Sequence, residues 1–215
     1  PDEEIEEQHN QVIIAGYGRF GQIVSRLLKA SGFQTTLLDH DAGQIELVGR
    51  FGNKVFYGDA SRTELLEAAG AEHAKVLVIA IDHKEKAVRM VEAARQAFPH
   101  LKILARAYDR RHAYQLMNAG AECITRETFG SALSMGEDAL KLLGIAPERA
   151  ARMARTFEEH DVAGMHKLYE VWGDDQAYGL RVRQNLADLE KVLQDDSGVD
   201  EDTEFDEDPG KVIPE

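Results

Sequence analysis

Val12-Ile13-Ile14-Ala15-Gly16-Tyr17-Gly18-Arg19-Phe20-Gly21 reads as a four-residue apolar strand running into a Gly-x-Gly-x-x-Gly turn that opens a helical pattern. The context carries more than the hexad. Gly16 permits a tight turn, Gly18 lets backbone approach a pyrophosphate, and Gly21 lets helix and strand pack closely. The amides at the helix start, from Arg19 and Phe20 onward, then face a phosphate. Asp39 closes the second apolar run, 18 residues after Gly21. There an acidic side chain accepts hydrogen bonds from ribose hydroxyls and repels a 2′-phosphate. The stretch predicts a Rossmann-type fold holding an adenine nucleotide.

Outward from this turn, apolar runs alternate with amphipathic stretches. Strands are expected at 12–15, 35–38, 54–57, 76–79 and 102–105, with a weaker sixth around Cys123 and Ile124. They lack strict polar alternation, as parallel strands covered on both faces do. Helical spacing marks 20–30, 44–51, 62–69, 85–97 and 112–119. Strands separated by single helices imply a doubly wound parallel sheet of right-handed βαβ units, an α/β fold.

Polar residues recur where such strands end, which is the ligand-binding rim of an open sheet. Asp59 and Ala60 follow the third strand, beside the adenosine half of a nucleotide, with His40 next to Asp39 at the ribose end. Asp82 follows the fourth strand and serves either the site or the cap of the next helix. Arg106 follows the fifth, where it either stabilises phosphate or joins a surface ion pair, and Asp109 either holds that arginine or meets a second ligand.

After Thr128 the pattern changes. Phe129 to Leu143 reads as one helix with an apolar face of Leu133, Leu140 and Leu143, broken by Gly144-Ile145-Ala146-Pro147. A second helix is expected from Glu148 toward Trp172, with Met153, Phe157 and Leu168 buried, and a third from Arg181 to Leu193. An arm following a complete sheet has little of its own chain left to cover. It therefore either packs on another copy, making a homodimer, or folds back on its own domain. The expected organisation is a linker end at 1–10, a nucleotide-binding domain at 11–128, a helical crossover and dimerisation arm at 129–193, and an acidic tail at 194–215.

Composition bounds the partners. The formal net charge of the 215 residues is −14, which argues against nucleic acid. Much of the excess sits between Asp195 and Asp208, where nine carboxylates stand without Lys or Arg, the signature of a solvated tail. Cys123 is the only cysteine, so no internal disulfide framework forms. No apolar run approaches membrane-spanning length, and the isolated piece is expected to be soluble. The sequence contains no Cys-x-x-Cys, His-Glu-x-x-His or Walker A lysine, and the histidines lack ligand spacing, so neither a metal centre nor catalysis is expected.

The runs from Val12 to Gly21, Leu38-Asp39-His40-Asp41, Val55-Phe56-Tyr57-Gly58-Asp59-Ala60 and Arg126-Glu127-Thr128-Phe129 closely resemble the cytoplasmic regulatory domain of bacterial glutathione-gated potassium efflux systems of the Kef type. That domain belongs to the KTN, or RCK, family. The resemblance covers about residues 11–164. It implies attachment to a membrane transporter domain of the same chain, at the cytoplasmic face of the bacterial inner membrane, and exchange of helical arms between two copies. It also implies AMP, or another adenine nucleotide such as NAD, as a largely structural ligand. Glutathione would keep the system closed and its conjugates would open it, with a soluble ancillary activating protein as a further partner.

Carried onto this sequence, the resemblance assigns Arg26 and Arg126 to the carboxylates of glutathione, Phe51 to sensing bulk on its sulfur, and Asp109 to a place near the peptide. Asp161 stands where the family carries an asparagine, which exchanges a donor-acceptor for an acceptor. Two arginines with one or two aspartates match a peptide bearing two carboxylates and one ammonium. Each residue has an ordinary alternative: Arg26 as a solvated helix residue, Phe51 as a core ring, Arg126 as a cap. Two other functions compete with this one. One is an NAD-, NADH- or ATP-sensing domain of a potassium channel or uptake system; the other is a small NAD-dependent oxidoreductase, for which no proton donor is identifiable.

Overall fold

The computed structural model describes residues 10–41 and 54–195. The chain divides into two compact units, Pro1–Gly130 and Ser131–Glu215.

The first unit is a six-stranded, wholly parallel sheet. Its strands are β1 (Val12–Ala15), β2 (Thr35–Asp39), β3 (Lys54–Tyr57), β4 (Val76–Ile79), β5 (Lys102–Ala107) and β6 (Cys123–Arg126). Their order in the sheet is β3-β2-β1-β4-β5-β6. Pairing is in step about the centre: Ile14 sits opposite Leu37 on one side and Val78 on the other. β1 and β2 are buried along their whole length, as expected for strands covered on both faces. The Rossmann-type sheet is therefore present, and the weak sixth strand is real, pairing Ala105 with Ile124.

The helices α1 (Arg19–Ala30), α2 (Thr63–Ala68), α3 (Lys84–Ala97) and α4 (Arg110–Ala119) cover the sheet. On α1 the residues at helical spacing, Phe20, Val24 and Leu28, pack against Val12, Ile14, Leu37 and Val78. Ile23 and Leu27, on the flank of that stripe, remain exposed. α3 buries Ala87, Met90, Val91 and Ala94 by the same periodicity. The helix expected at 44–51 lies outside the described residues.

The second unit consists of α5 (Phe129–Leu142), which begins at its boundary, α6 (Pro147–Tyr169) and α7 (Asp175–Asp195). Gly144 and Ile145 end α5 by donating to the carbonyls of Lys141 and Leu140 at 3.0 and 3.1 Å. Pro147 opens α6, where a missing N–H costs nothing. α5 buries none of its residues within the single chain, and Leu143 of its expected apolar face is 81% exposed. Two expectations need correction. On α6, Leu168 is buried as expected, but Met153 and Phe157 are only half-buried, while the small residues Ala150, Ala154 and Gly164 are buried. There Gly164 leaves room for the Asn185 amide of α7, which would lie 3.0 Å from any Cβ. Finally, α7 starts six residues before Arg181. The Asp174 carboxylate accepts from the backbone N–H of Gln176 and Ala177, both at 3.0 Å, a cap that the apolar stripe farther along obscured.

Candidate functional site

The strand order reverses between β1 and β4, and a cleft opens beyond their C-terminal ends, where such folds bind ligands. Its volume is about 480 Å³, in the range of small-molecule sites. Of the residues expected to hold a nucleotide, Gly16, Gly18, Asp39, His40, Asp59, Ala60 and Asp82 line it; Arg19, Phe20, Gly21 and Arg106 do not.

The three glycines do different work. Gly16 has φ +95°, and a Cβ there would meet the backbone of Ala80 and Ile81 at 2.9 Å. A Cβ on Gly21 would lie 1.9 Å from the Gly16 carbonyl oxygen, so this glycine permits α1 to touch β1. Gly18 is different. Its φ and ψ, −70° and −168°, suit any residue, and a Cβ there meets nothing within 4 Å. It caps α1, offers no side-chain bond to the first turn, and no acidic residue occupies that turn. Neither the cap nor an acidic side chain of the first turn therefore serves the amides at the start of α1, which carry the positive end of the helix dipole.

Asp39 has both oxygens engaged by the protein. Oδ2 accepts from the Tyr17 amide at 2.7 Å and Oδ1 from the Asp41 amide at 2.8 Å. It is 8% exposed and fixes the glycine turn to the end of β2. Each oxygen keeps further lone-pair capacity for a ribose hydroxyl. His40 lies 3.6 Å from Asp39 and is open to solvent. Asp59 forms a tight local turn, accepting from the Ser61 hydroxyl at 2.7 Å and amide at 3.0 Å. Those bonds, with the charges of Lys86 and Arg89, hold its carboxyl below the usual range.

Lys86 also lines the cleft, and the glycine-centred reading missed it. Lys84 and Lys86 both stand in the first turn of α3, where the helix dipole disfavours cations. Lys84 is compensated by Asp109 at 2.6 Å, whereas Lys86 makes no ion pair among the described residues and acts at longer range on Asp59. Two lysines at a helix start, where the dipole disfavours cations, were the available signal.

Asp82 does not cap α3: His83 occupies the cap position, and no side chain bonds to the first turn. Asp82 binds Arg106 instead, which also binds Glu127 and donates to the Ala80 carbonyl at 3.1 Å. Asp109, considered as a holder of Arg106, is the cap of α4. It accepts from the His112 amide at 2.7 Å and from Lys84. Burial pushes its carboxyl up, but these two donors outweigh burial and leave it below the usual range. His112 is buried, with Nδ1 accepting from the Tyr108 amide at 3.1 Å, so Nε2 carries the proton and donates to the Lys84 carbonyl at 3.1 Å. Burial depresses its pKa.

Of the residues expected to hold a second ligand, none lines this cleft. Arg26 is exposed on α1. Arg126 ends β6, with its guanidinium 3.9 Å from the ring centre of Phe129. Asp161 lies on α6 in the second unit, and Phe51 lies outside the described residues. Among the described residues there is no group of three or more His, Cys, Asp or Glu placed to hold a metal, and no helix long and apolar enough to cross a membrane.

Comparison with known proteins gives matches to both units. Residues 12–126 match the TrkA-N domain, and residues 131–209 match the potassium efflux system KefB C-terminal domain. The glutathione-regulated potassium-efflux system protein KefC of Escherichia coli O139:H28 is 43% identical over 194 residues. That match takes in 90% of this chain but 31% of the relative, so the chain spans about a third of the curated relatives' length. Among solved structures, the AMP-bound Kef C-terminal domain of Shewanella denitrificans is 53% identical with a TM-score of 0.71. It covers 76% of this chain and 99% of its own. The TrkA-N domain of the inner membrane protein YbaL of Escherichia coli is 26% identical with a TM-score of 0.58, covering 64% of this chain and 98% of its own.

Proposed function

Because the chain belongs to the KTN/RCK regulatory domains of Kef-type potassium efflux systems, we propose that it senses ligands and gates potassium:proton antiport without performing chemistry itself. AMP occupies the cleft as a structural ligand. Its phosphate lies on Gly16, Gly18 and the start of α1 at Arg19 and Phe20, with Gly21 holding that helix against the strand. Its ribose meets Asp39 and His40, its adenosine half Asp59 and Ala60, and Asp82 and Arg106 bound the far side. The observation that carries this reading is Gly18, a glycine required neither by its backbone angles nor by packing. A phosphate approaching the helix amides supplies the missing reason.

Glutathione is the second ligand, with Arg26 and Arg126 on its carboxylates, Asp109 and Asp161 toward its other polar groups, and Phe51 reporting bulk on sulfur. Since the sulfur substituent carries no charge to recognise, discrimination between glutathione and its conjugates is steric. Gating follows only if the two ligand classes favour different conformations; equal affinity for both would shift nothing. The chain works as a homodimer through residues 129–193, joined by the linker at 1–10 to a membrane transporter domain at the cytoplasmic face of the inner membrane. A soluble ancillary protein assists activation. The exposed Leu142 and Leu143 of the second unit support an intersubunit role for that arm.

Mass spectrometry of nucleotide released from the purified protein, with a calorimetric glutathione titration, tests this reading. Release of AMP and saturable glutathione binding are expected. A conformational response to nucleotide alone, with no response to glutathione, would instead favour a channel or uptake-system sensor.

A further inference from the structure

In an open parallel sheet a dinucleotide lies across the switch point, with its second nucleoside over the strand ends on the far side. Here the far side is β4, β5 and β6, and its rim is occupied by a side chain. Arg106, near the end of β5, is 12% exposed. Its Nε and one Nη bind Glu127, which follows β6 and is itself only 17% exposed. The other Nη donates to the Ala80 carbonyl and to Asp82. The guanidinium carbon lies 5.4 Å from the ring centre of Phe20 on α1. Four of its five N–H groups are thus committed to this chain's own acceptors. Correspondingly, the cleft is lined from the ends of β1, β2, β3 and β4 and by Lys86 of α3, with no contribution from β5 or β6.

We propose that Arg106 is a specificity residue that limits the cleft to a mononucleotide, because the Asp82–Arg106–Glu127 triad holds the place a second nucleoside would take. This rests on the nucleotide reading above and narrows it. To admit NAD the guanidinium must leave Glu127, stranding a largely buried carboxylate, and removing one partner of such a pair is strongly unfavourable. AMP ends before this barrier and leaves the triad intact. The property being read is the second nucleoside, not the number of phosphates.

Calorimetric titration of nucleotide-free protein with AMP, ADP-ribose and NAD tests the inference. AMP is expected to bind at least tenfold more tightly than either of the others, and NAD binding as tightly as AMP overturns it. The double variant Arg106→Met/Glu127→Gln removes both charges together and opens the rim, so the AMP-to-NAD affinity ratio should fall at least fivefold. A folded double variant that keeps the wild-type ratio also overturns it. Should that variant fail to fold, the three-ligand series on the wild-type chain decides alone. Binding of none of the three refutes the nucleotide reading and this inference with it, whereas equal binding of all three refutes this inference only.

Discussion

Gly18→Ala separates binding from folding at the position where the structure distinguishes them. An added methyl at Gly18 touches nothing, and the backbone angles already suit alanine. Removing a glycine at a compatible position stabilises by about 0.4–1 kcal/mol through the unfolded chain, while alanine is a poorer helix cap than glycine by a similar amount. The two effects nearly cancel, and at about 2–4 °C per kcal/mol the melting temperature of the unliganded chain should move by no more than a few degrees. The methyl nevertheless occupies space that the proposed phosphate needs to approach the first amides of α1. Loss of one charge-assisted hydrogen bond, about 1.5–3 kcal/mol, weakens AMP roughly ten- to a hundredfold. Calorimetry gives that ratio directly. Thermal melting gives it independently, because a ligand at about a hundred times its Kd adds about 2.7 kcal/mol to the wild type. Gly21→Ala is the contrasting control: its Cβ would sit 1.9 Å from a carbonyl oxygen, so the unliganded fold itself should be lost or strongly weakened. A folded Gly18→Ala protein that binds AMP within twofold of wild type would refute the argument that this glycine is kept open for a phosphate.

Other consequences follow from the same geometry. Asp39→Asn leaves one carbonyl oxygen where two carboxylate oxygens held the Tyr17 and Asp41 amides; both melting temperature and AMP affinity should drop, and loss of neither would show that the tie is dispensable. The depressed pKa of buried His112 means that the unfolded chain binds its proton more readily, so this stabilisation is present above about pH 6.5 and lost as pH falls through the folded pKa. Melting scans from pH 7 to 5 should show that loss, and His112→Asn should flatten the slope. The Asp109 carboxyl is likewise depressed, so its contribution is present above the ordinary carboxyl range and disappears at still lower pH; Asp109→Asn should reduce the acid sensitivity seen below pH 4. Arg126→Ala should weaken glutathione at least tenfold by calorimetry, and an unchanged affinity would remove Arg126 from the site.

The sheet was legible because burial on both faces forces nearly continuous apolar runs, as in Val12–Ala15 and Val76–Ile79. Short-range pattern was less informative wherever a cap or a small residue set the boundary. Asp174 starts α7 well before its apolar stripe, and α6 buries Ala150, Ala154 and Gly164, the last against Asn185 of the neighbouring helix. A search for large apolar side chains selects Met153 and Phe157 and overlooks such a contact. Lys86 was missed for a related reason: a lysine near a helix start reads as ordinary surface until its neighbour Lys84 is seen to be paired and Lys86 is not.

Within the site, sequence gave position more readily than role. Asp39, Arg106 and Asp109 all stand at strand ends, where an open sheet binds ligands, and in the sequence each reads as a candidate ligand contact. The structure shows each already holding protein together: Asp39 the glycine turn, Arg106 the ends of β4 and β6, and Asp109 the starts of α3 and α4. Strand ends concentrate unpaired amides and carbonyls, so charged side chains there serve the backbone first. What remains for a ligand is the capacity left over, which differs among the three. Asp39 retains lone pairs, Arg106 has one N–H left, and Asp109 is engaged by an ammonium and an amide. On that accounting the proposed ribose contact suits Asp39, the proposed limit on nucleotide length suits Arg106, and Asp109 could meet a peptide ammonium only by sharing its carboxylate with Lys84.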